Sequence, residues 1–232
     1  MEEKNLEKLQ KNIAINFKNK ILLRQAMTHR SYINEHLDTK IGHNERLEFL
    51  GDAVLEIVVT EYLFLNFKNI PEGDLTNWRA SLVNAKMLYL IAMELGLEEY
   101  LYLSRGEAKD KNKKSRHYIL ANAVEALIGA IYIDQGLAIA KAFILDKIVV
   151  KLPEILKTQA YLDPKSRFQE QAQDKRGITP RYEIISEEGP DHAKIFTVGL
   201  YLDNEFITSG SGSSKQEAQV DAAAKGLKIF NW

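Results

Sequence analysis

Apolar and polar positions follow two rhythms along the chain, and the change falls near residue 160. Residues 6–17 and 20–31 carry apolar positions at helical spacing, with Ile21, Leu22, Ala26 and Met27 forming the second stripe. Residues 34–43 are polar, contain Gly42 and predict a loop. A long helix is predicted from residue 44 through Phe64, since no breaker interrupts it. Pro71-Glu72-Gly73-Asp74 predicts a turn, with Asp74 as N-cap of a helix carrying Trp78, Leu82 and Val83. Residues 87–95 predict another helix, closed by Gly96. Residues 105–117 hold Arg105, Lys109, Lys111, Lys113, Lys114 and Arg116 among few apolar positions, and read as a mobile basic loop. Residues 119–134 form a helix rich in Ala and Gly, followed after Gly136 by one more over 138–152.

Beyond this point the period shortens. Residues 153–160 are the predicted linker between a domain at 1–152 and a second at 161–232. The second domain opens with a helix over 166–175. Strands follow at 181–186, 195–202 and 205–209, the middle one alternating Phe196, Val198, Leu200 and Leu202. Asp203-Asn204 makes the tight turn. A Gly/Ser stretch, 210–214, leads into a closing helix with Val220, Ala223, Ala224, Leu227 and Phe230. The predicted fold class is thus an all-α domain followed by a small α+β module in the order α-β-β-β-α.

The 45% apolar content over 232 residues suffices for one or two packed cores. With no Cys there is no disulfide framework, thiolate metal site or cysteine nucleophile. The N-terminus lacks signal-peptide order, and apolar runs such as 128–133 are too short to span a bilayer, so no membrane partner and a cytoplasmic location are expected. The net charge is −1; before Tyr161 basic and acidic residues number 22 and 21, and from it onward 9 and 11. Any polyanion must therefore be met by a local patch.

The chemistry concentrates in residues 44–55. Glu45, Glu48 and Asp52 fall at steps of three and four, within about 60° of one another on a helix at about 100° per residue. Leu47, Phe49, Leu50, Val54 and Leu55 make the same segment apolar. Like charges on one buried face repel and are costly to desolvate, so a divalent cation is one answer and a solvated acidic face the other. Asn122 and Glu125 sit three apart on the Ala- and Gly-rich helix, whose small residues allow close approach of a neighbour. That would set them opposite Glu48 and Asp52. His29, in Thr28-His29-Arg30-Ser31-Tyr32, reads more readily as a packed, hydrogen-bonded residue than as a catalyst.

Asn44-Glu45-Arg46-Leu47-Glu48-Phe49-Leu50-Gly51-Asp52-Ala53-Val54-Leu55 resembles the signature of bacterial ribonuclease III. Thr28 to Tyr32, Glu72-Gly73-Asp74 and Glu125 to Ala130 agree in the same order, and the C-terminal module resembles a double-stranded RNA-binding domain. The resemblance implies a dimerising helical nuclease that cuts both strands of double-stranded RNA with Mg²⁺, Mn²⁺ serving as a substitute. The products would carry 5′-phosphate and 3′-hydroxyl ends with two-nucleotide 3′ overhangs. It implies roles in processing rRNA precursors and structured mRNA. Residue by residue, it implies Glu48, Asn122 and Glu125 as metal ligands, and Asp52 and Glu125 as catalytic. Glu45 and Glu72 become supporting acids, and Phe49 a contact to the partner subunit, the alternative for Phe49 being an ordinary core aromatic. In the second domain it implies that Gln169 and Glu170 meet one minor groove, His192 the next, and Lys215 the phosphates between them, with helix amides near Ser213 and Ser214 offered to phosphate.

Two departures bear on these expectations. Asn122 stands where the family usually has Asp; it keeps a carbonyl oxygen but loses a charge, which predicts weaker metal binding. Gln216 follows Lys215 where a second basic residue is common, which predicts modest RNA affinity. The competing readings are a cleavage-impaired duplex-RNA binder of the same fold, motivated by Asn122, and an unrelated helical metal-binding or structural dimer.

Overall fold

The computed structural model describes residues 4–38, 40–110, 112–158, 163–190 and 194–232. The chain divides into two compact units, Met1–Tyr161 and Leu162–Trp232.

The first unit is helical among the described residues: α1 (Leu6–Ile13), α2 (Lys20–Ala26), α3 (Arg30–Glu35), α4 (Glu45–Asn66), α5 (Glu72–Val83), α6 (Ala85–Glu94), α7 (Arg105–Lys109), α8 (Lys113–Gln135), α9 (Leu137–Lys147) and α10 (Leu152–Thr158). Short 3₁₀ turns lie at Leu97–Tyr100 and Val149–Lys151. Side-chain caps start many of them: Asn5, Asn19, Asn84, Ser104 and Asn112 each accept from a first-turn amide. The core is organised on α8, against which α4, α6, α2 and α9 pack. Leu120, Ala123, Val124, Leu127, Ile128 and Ile131 of α8 are fully enclosed. Together with Leu55, Val58, Val59 and Leu63 of α4 they form one continuous apolar cluster.

Several local expectations are corrected. The first helix stops at Ile13 because Ala14 turns into the left-handed region at φ 55°. The second breaks after Ala26, and a separate α3 begins at Arg30 and uses the first residues of the expected loop. Asp74 is not an N-cap: α5 starts at Glu72, behind Pro71, and Asp74 lies inside its first turn. The expected basic loop is largely helical. It is drawn in by Arg116, which pairs with Glu98 at 3.5 Å and donates to the Glu107 carbonyl at 3.0 Å. The segment expected to begin the linker is α10 as far as Thr158, held by Ile155, which is 5% exposed, and packed on α5.

The second unit contains α11 (Pro164–Arg176), strands β1 (Arg181–Glu188), β2 (Ile195–Leu202) and β3 (Glu205–Gly212), and α12 (Lys215–Phe230). The sheet is antiparallel in the order β1-β2-β3, with irregular register between Ile184 and Ser186 and between Leu200 and Tyr201. Both helices cover one face. Phe168 and Ala172 of α11 meet Leu200, Leu202, Ala222, Ala223 and Leu227 in a small separate core. β3 runs to Gly212, longer than its apolar residues predict, because Ser209 and Ser211 continue the ladder with β2.

Candidate active site and nucleic-acid interface

The start of α4 is fixed from below. Asn44 is 2% exposed; its amide N–H donates to the Thr28 carbonyl at 2.9 Å, and its Nδ2 to the Ala26 carbonyl. The Asn44 carbonyl in turn accepts from Leu47 and Glu48. Thr28 bridges to Tyr102 and is itself buried. His29 caps α3: its Nδ1 lies 2.8 Å from Ser31 Oγ and accepts from the Ser31 amide. Burial, the largest influence, holds the His29 imidazole below its ordinary pKa and so favours the neutral form that an acceptor requires. The packed, hydrogen-bonded reading of His29 is the one the geometry matches.

The crossing of α4 and α8 sets the acids. A Cβ on Gly51 would stand 1.8 Å from the Glu125 carbonyl oxygen, and one on Gly129 would stand 2.2 Å from the Leu47 carbonyl oxygen. The two backbones touch where any side chain would separate them. Glu48 and Asp52 on α4 are thereby brought against Asn122 and Glu125 on α8. Glu125 is pushed up to about 7, first by burial and then by the negative charges of Asp52 and Glu48. Glu48 is also raised, first by burial and then by Glu45 and Asp52, against a hydrogen bond from Asn122 that pulls the other way. Sequence reasoning did not foresee that influence of Asn122 on Glu48. An Asp at 122 would have no donor for it, whereas the amide N–H₂ of Asn122 does.

The supporting acids stand further out. Glu45 is exposed and sits 3.7 Å from Arg30 and 3.6 Å from His43 Nδ1. Glu72 lies on α5, where Thr76 Oγ1 donates to it at 3.0 Å, beside a hollow of about 270 Å³ that Phe64 and Arg79 also line. It is absent from the groups that act on Glu48 and Glu125. Phe49 is 81% exposed, so the core-aromatic alternative fails; Ile57 and Phe64 extend an exposed apolar stripe along α4.

In the second unit Gln169 and Glu170 lie on the exposed face of α11, and Lys215 is the first residue of α12. His192 falls outside the described residues. The amides expected to be open at the start of α12 are partly taken. Ser214 Oγ accepts from the Glu217 amide at 3.1 Å, and the Glu217 carboxylate accepts from the Ser213 amide at 3.0 Å, a reciprocal cap.

Residues 19–152 match the family described as Ribonuclease-III-like, and residues 164–229 match the double-stranded RNA binding motif. The chain belongs to the ribonuclease III family. It is 46% identical over 231 residues to Ribonuclease 3 of Carboxydothermus hydrogenoformans, covering 99% of this chain and 97% of that one. It is 42% identical to Ribonuclease 3 of Borreliella afzelii, covering 97% and 91%. Among solved structures, the nuclease domain of ribonuclease III from Campylobacter jejuni aligns with a TM-score of 0.56 and 42% identity, covering 64% of this chain and 99% of that one. That structure is described for flexibility in a region involved in dimer formation. As a ribonuclease III family member the chain is an endoribonuclease that carries a double-stranded RNA-binding domain. Among the described residues no helix is long and apolar enough to cross a membrane.

The chemistry of Glu48, Glu125 and the Asn122 amide oxygen suits a hard cation, since burial and neighbouring acids penalise the charge of both carboxylates and a divalent ion would relieve it. Among the described residues no three His, Asp or Glu side chains are gathered closely enough to hold a metal ion by themselves. Mg²⁺ keeps several of its waters and is held by one or two carboxylates, so a group of three acids is not required.

The Glu125 shift has a consequence for stability. A carboxyl raised in the folded state and ordinary in the unfolded one holds its proton longer when folded. Its contribution is fully present below about pH 4.5 and is lost as pH rises through about 7. In chelator, the melting midpoint of the wild type should therefore fall relative to Glu125→Gln across that window, and saturating Mg²⁺ should close the gap above pH 7. Parallel melting curves for the two proteins from pH 4.5 to 8 would contradict the shared-charge geometry.

Proposed function

We propose that this protein hydrolyses double-stranded RNA on both strands in a Mg²⁺-dependent reaction, with Mn²⁺ as a substitute. The products would carry 5′-phosphates, 3′-hydroxyls and two-nucleotide 3′ overhangs, from substrates such as rRNA precursors and structured mRNA. The observation that supports this most is the Gly51–Gly129 approach, which faces two acids of α4 with Asn122 and Glu125 of α8.

When bound, a divalent ion would supply Lewis-acid stabilisation of the phosphate and a more acidic water. Glu48, Glu125 and the Asn122 oxygen would hold it. Asp52 would orient the attacking water and accept its proton, helped by its exposure to solvent. Glu45 and Glu72 would line the RNA path. Phe49, with Ile57 and Phe64, would be covered by a second subunit, so that two sites act on the two strands. Gln169, Glu170, His192 and Lys215 would hold the duplex by its shape.

The second reading, a binder that cuts poorly, has its own observation: Asn122 stands beside the acids and supplies no charge, only a neutral amide that favours the charged form of Glu48. A cleavage time course on a long RNA duplex, in Mg²⁺ and in Mn²⁺, decides between them. Cutting is expected in both metals, and Asn122→Asp should lower the Mg²⁺ concentration needed by roughly tenfold or more. Retained binding with no nicking in either metal would establish the binder. An Asn122→Asp variant that cuts less would remove 122 from the ligand set.

A further inference from the structure

We infer that Glu187 sets the RNA affinity of the second unit by holding the lysine that phosphate must take. Three elements converge on it. Lys215 Nζ, at the start of α12, lies 3.2 Å from one Glu187 carboxylate oxygen. Lys194 Nζ, just before β2, lies 3.7 Å from the other. In the β1–β2 ladder Glu187 is directly opposite Phe196, and Lys215 Nζ stands 5.6 Å from the centre of the Phe196 ring. A carboxylate within ion-pair reach and an aromatic ring nearby thus position the Lys215 ammonium.

This arrangement differs from the other ion pairs among the described residues of the unit. Glu183 pairs with Arg181, Glu205 with Arg176 and Asp221 with Lys225, none of which is assigned to RNA. Glu187 alone among these acids engages Lys215. The inference rests on the reading that Lys215 meets phosphate. Given that, binding is an exchange: a phosphate oxygen replaces the Glu187 carboxylate, and the displaced carboxylate stays beside a polyanion as a like charge. The gain per contact is reduced, and so is the net release of counterions, because the carboxylate left behind needs a cation of its own.

The test uses the full-length protein in chelator, where no metal supports cutting, with a long RNA duplex titrated across a salt series. Glu187→Gln should tighten binding by roughly two- to fivefold, the range of an exposed ion pair. It should also steepen the dependence of log K on log salt by up to about one. Lys215→Gln should weaken binding, and adding Glu187→Gln to it should recover much less than the single change does. Glu183→Gln should leave affinity where it was. If Lys215→Gln weakens binding while Glu187→Gln does not tighten it, the inference fails and the RNA reading of Lys215 stands. If Lys215→Gln binds as the wild type does, the phosphate reading fails and takes the inference with it. Equal tightening by Glu183→Gln and Glu187→Gln would reduce the effect to bulk charge and overturn a specific role for Glu187.

Discussion

Glu125→Gln is expected to lower the single-turnover rate of duplex cleavage by about 10³-fold or more, while duplex affinity in chelator stays within a factor of two or so. The size follows from the role. Charge stabilisation at a phosphate by a carboxylate-held cation is worth several kcal/mol, and each 1.36 kcal/mol is tenfold in rate, roughly. Gln keeps the shape and one oxygen but removes the charge that Asp52 and Glu48 now crowd. The same change should leave the metal-free protein as stable as the wild type or more so at pH 8, because a repelled carboxylate is gone. It should also diminish the rise in melting temperature that Mg²⁺ gives. Binding is spared because the duplex-binding motif occupies residues 164–229 of a separate compact unit. A variant cutting at a tenth of the wild-type rate would show that Glu125 is no more than a neighbour of the chemistry. Loss of duplex binding would show that its place in the fold had been misread.

The helices were legible where apolar residues ran without a breaker: in α4 the buried positions follow the helical period, and α8 is apolar and buried on nearly every side from Ile119 to Ile131. Where charge dominated, the reading failed in one direction. Residues 105–117 look solvated, yet Arg116 is engaged by Glu98 and by the Glu107 carbonyl, contacts that no local pattern announces. Residues 153–158 look like a linker because Pro153 and polar residues interrupt the stripe, but Ile155, with Leu152 before it and Leu156 beside it, anchors a helical turn on the core. The acids on each helix were found from spacing. Their meeting across helices was not readable from spacing alone, because it depends on two glycines eighty residues apart, about, whose only signal was the small-residue character of the second helix. The influence of Asn122 on Glu48 lay further out of reach, since it needs the side-chain geometry at that crossing.

That crossing supplies the largest stability effect. Gly51→Ala should destabilise the first unit by at least about 3 kcal/mol, at or beyond the upper end of ordinary overpacking costs. In an open helix the same change would favour folding by up to ~1 kcal/mol, since Ala has the higher helix propensity. The sign is therefore informative. At Gly51 the new methyl would meet a backbone carbonyl at 1.8 Å, with the Glu125 carbonyl carbon at 2.6 Å and the Gly129 nitrogen at 2.8 Å. Backbone cannot rotate away as a side chain can, so α4 and α8 must part. Gly73 in the first turn of α5 is the internal control, for a Cβ there meets nothing within 4 Å. Gly73→Ala should be neutral or slightly stabilising. Parting the helices also pulls Glu48 and Asp52 from Asn122 and Glu125. Gly51→Ala, assayed well below its own melting temperature, should then cut more slowly and require more Mg²⁺. Chemical denaturation of the two alanine variants beside the wild type reads the first effect, and a Mg²⁺ titration of cleavage reads the second. A Gly51→Ala protein as stable as the Gly73→Ala control would mean that the two helices do not approach as closely as the acids require.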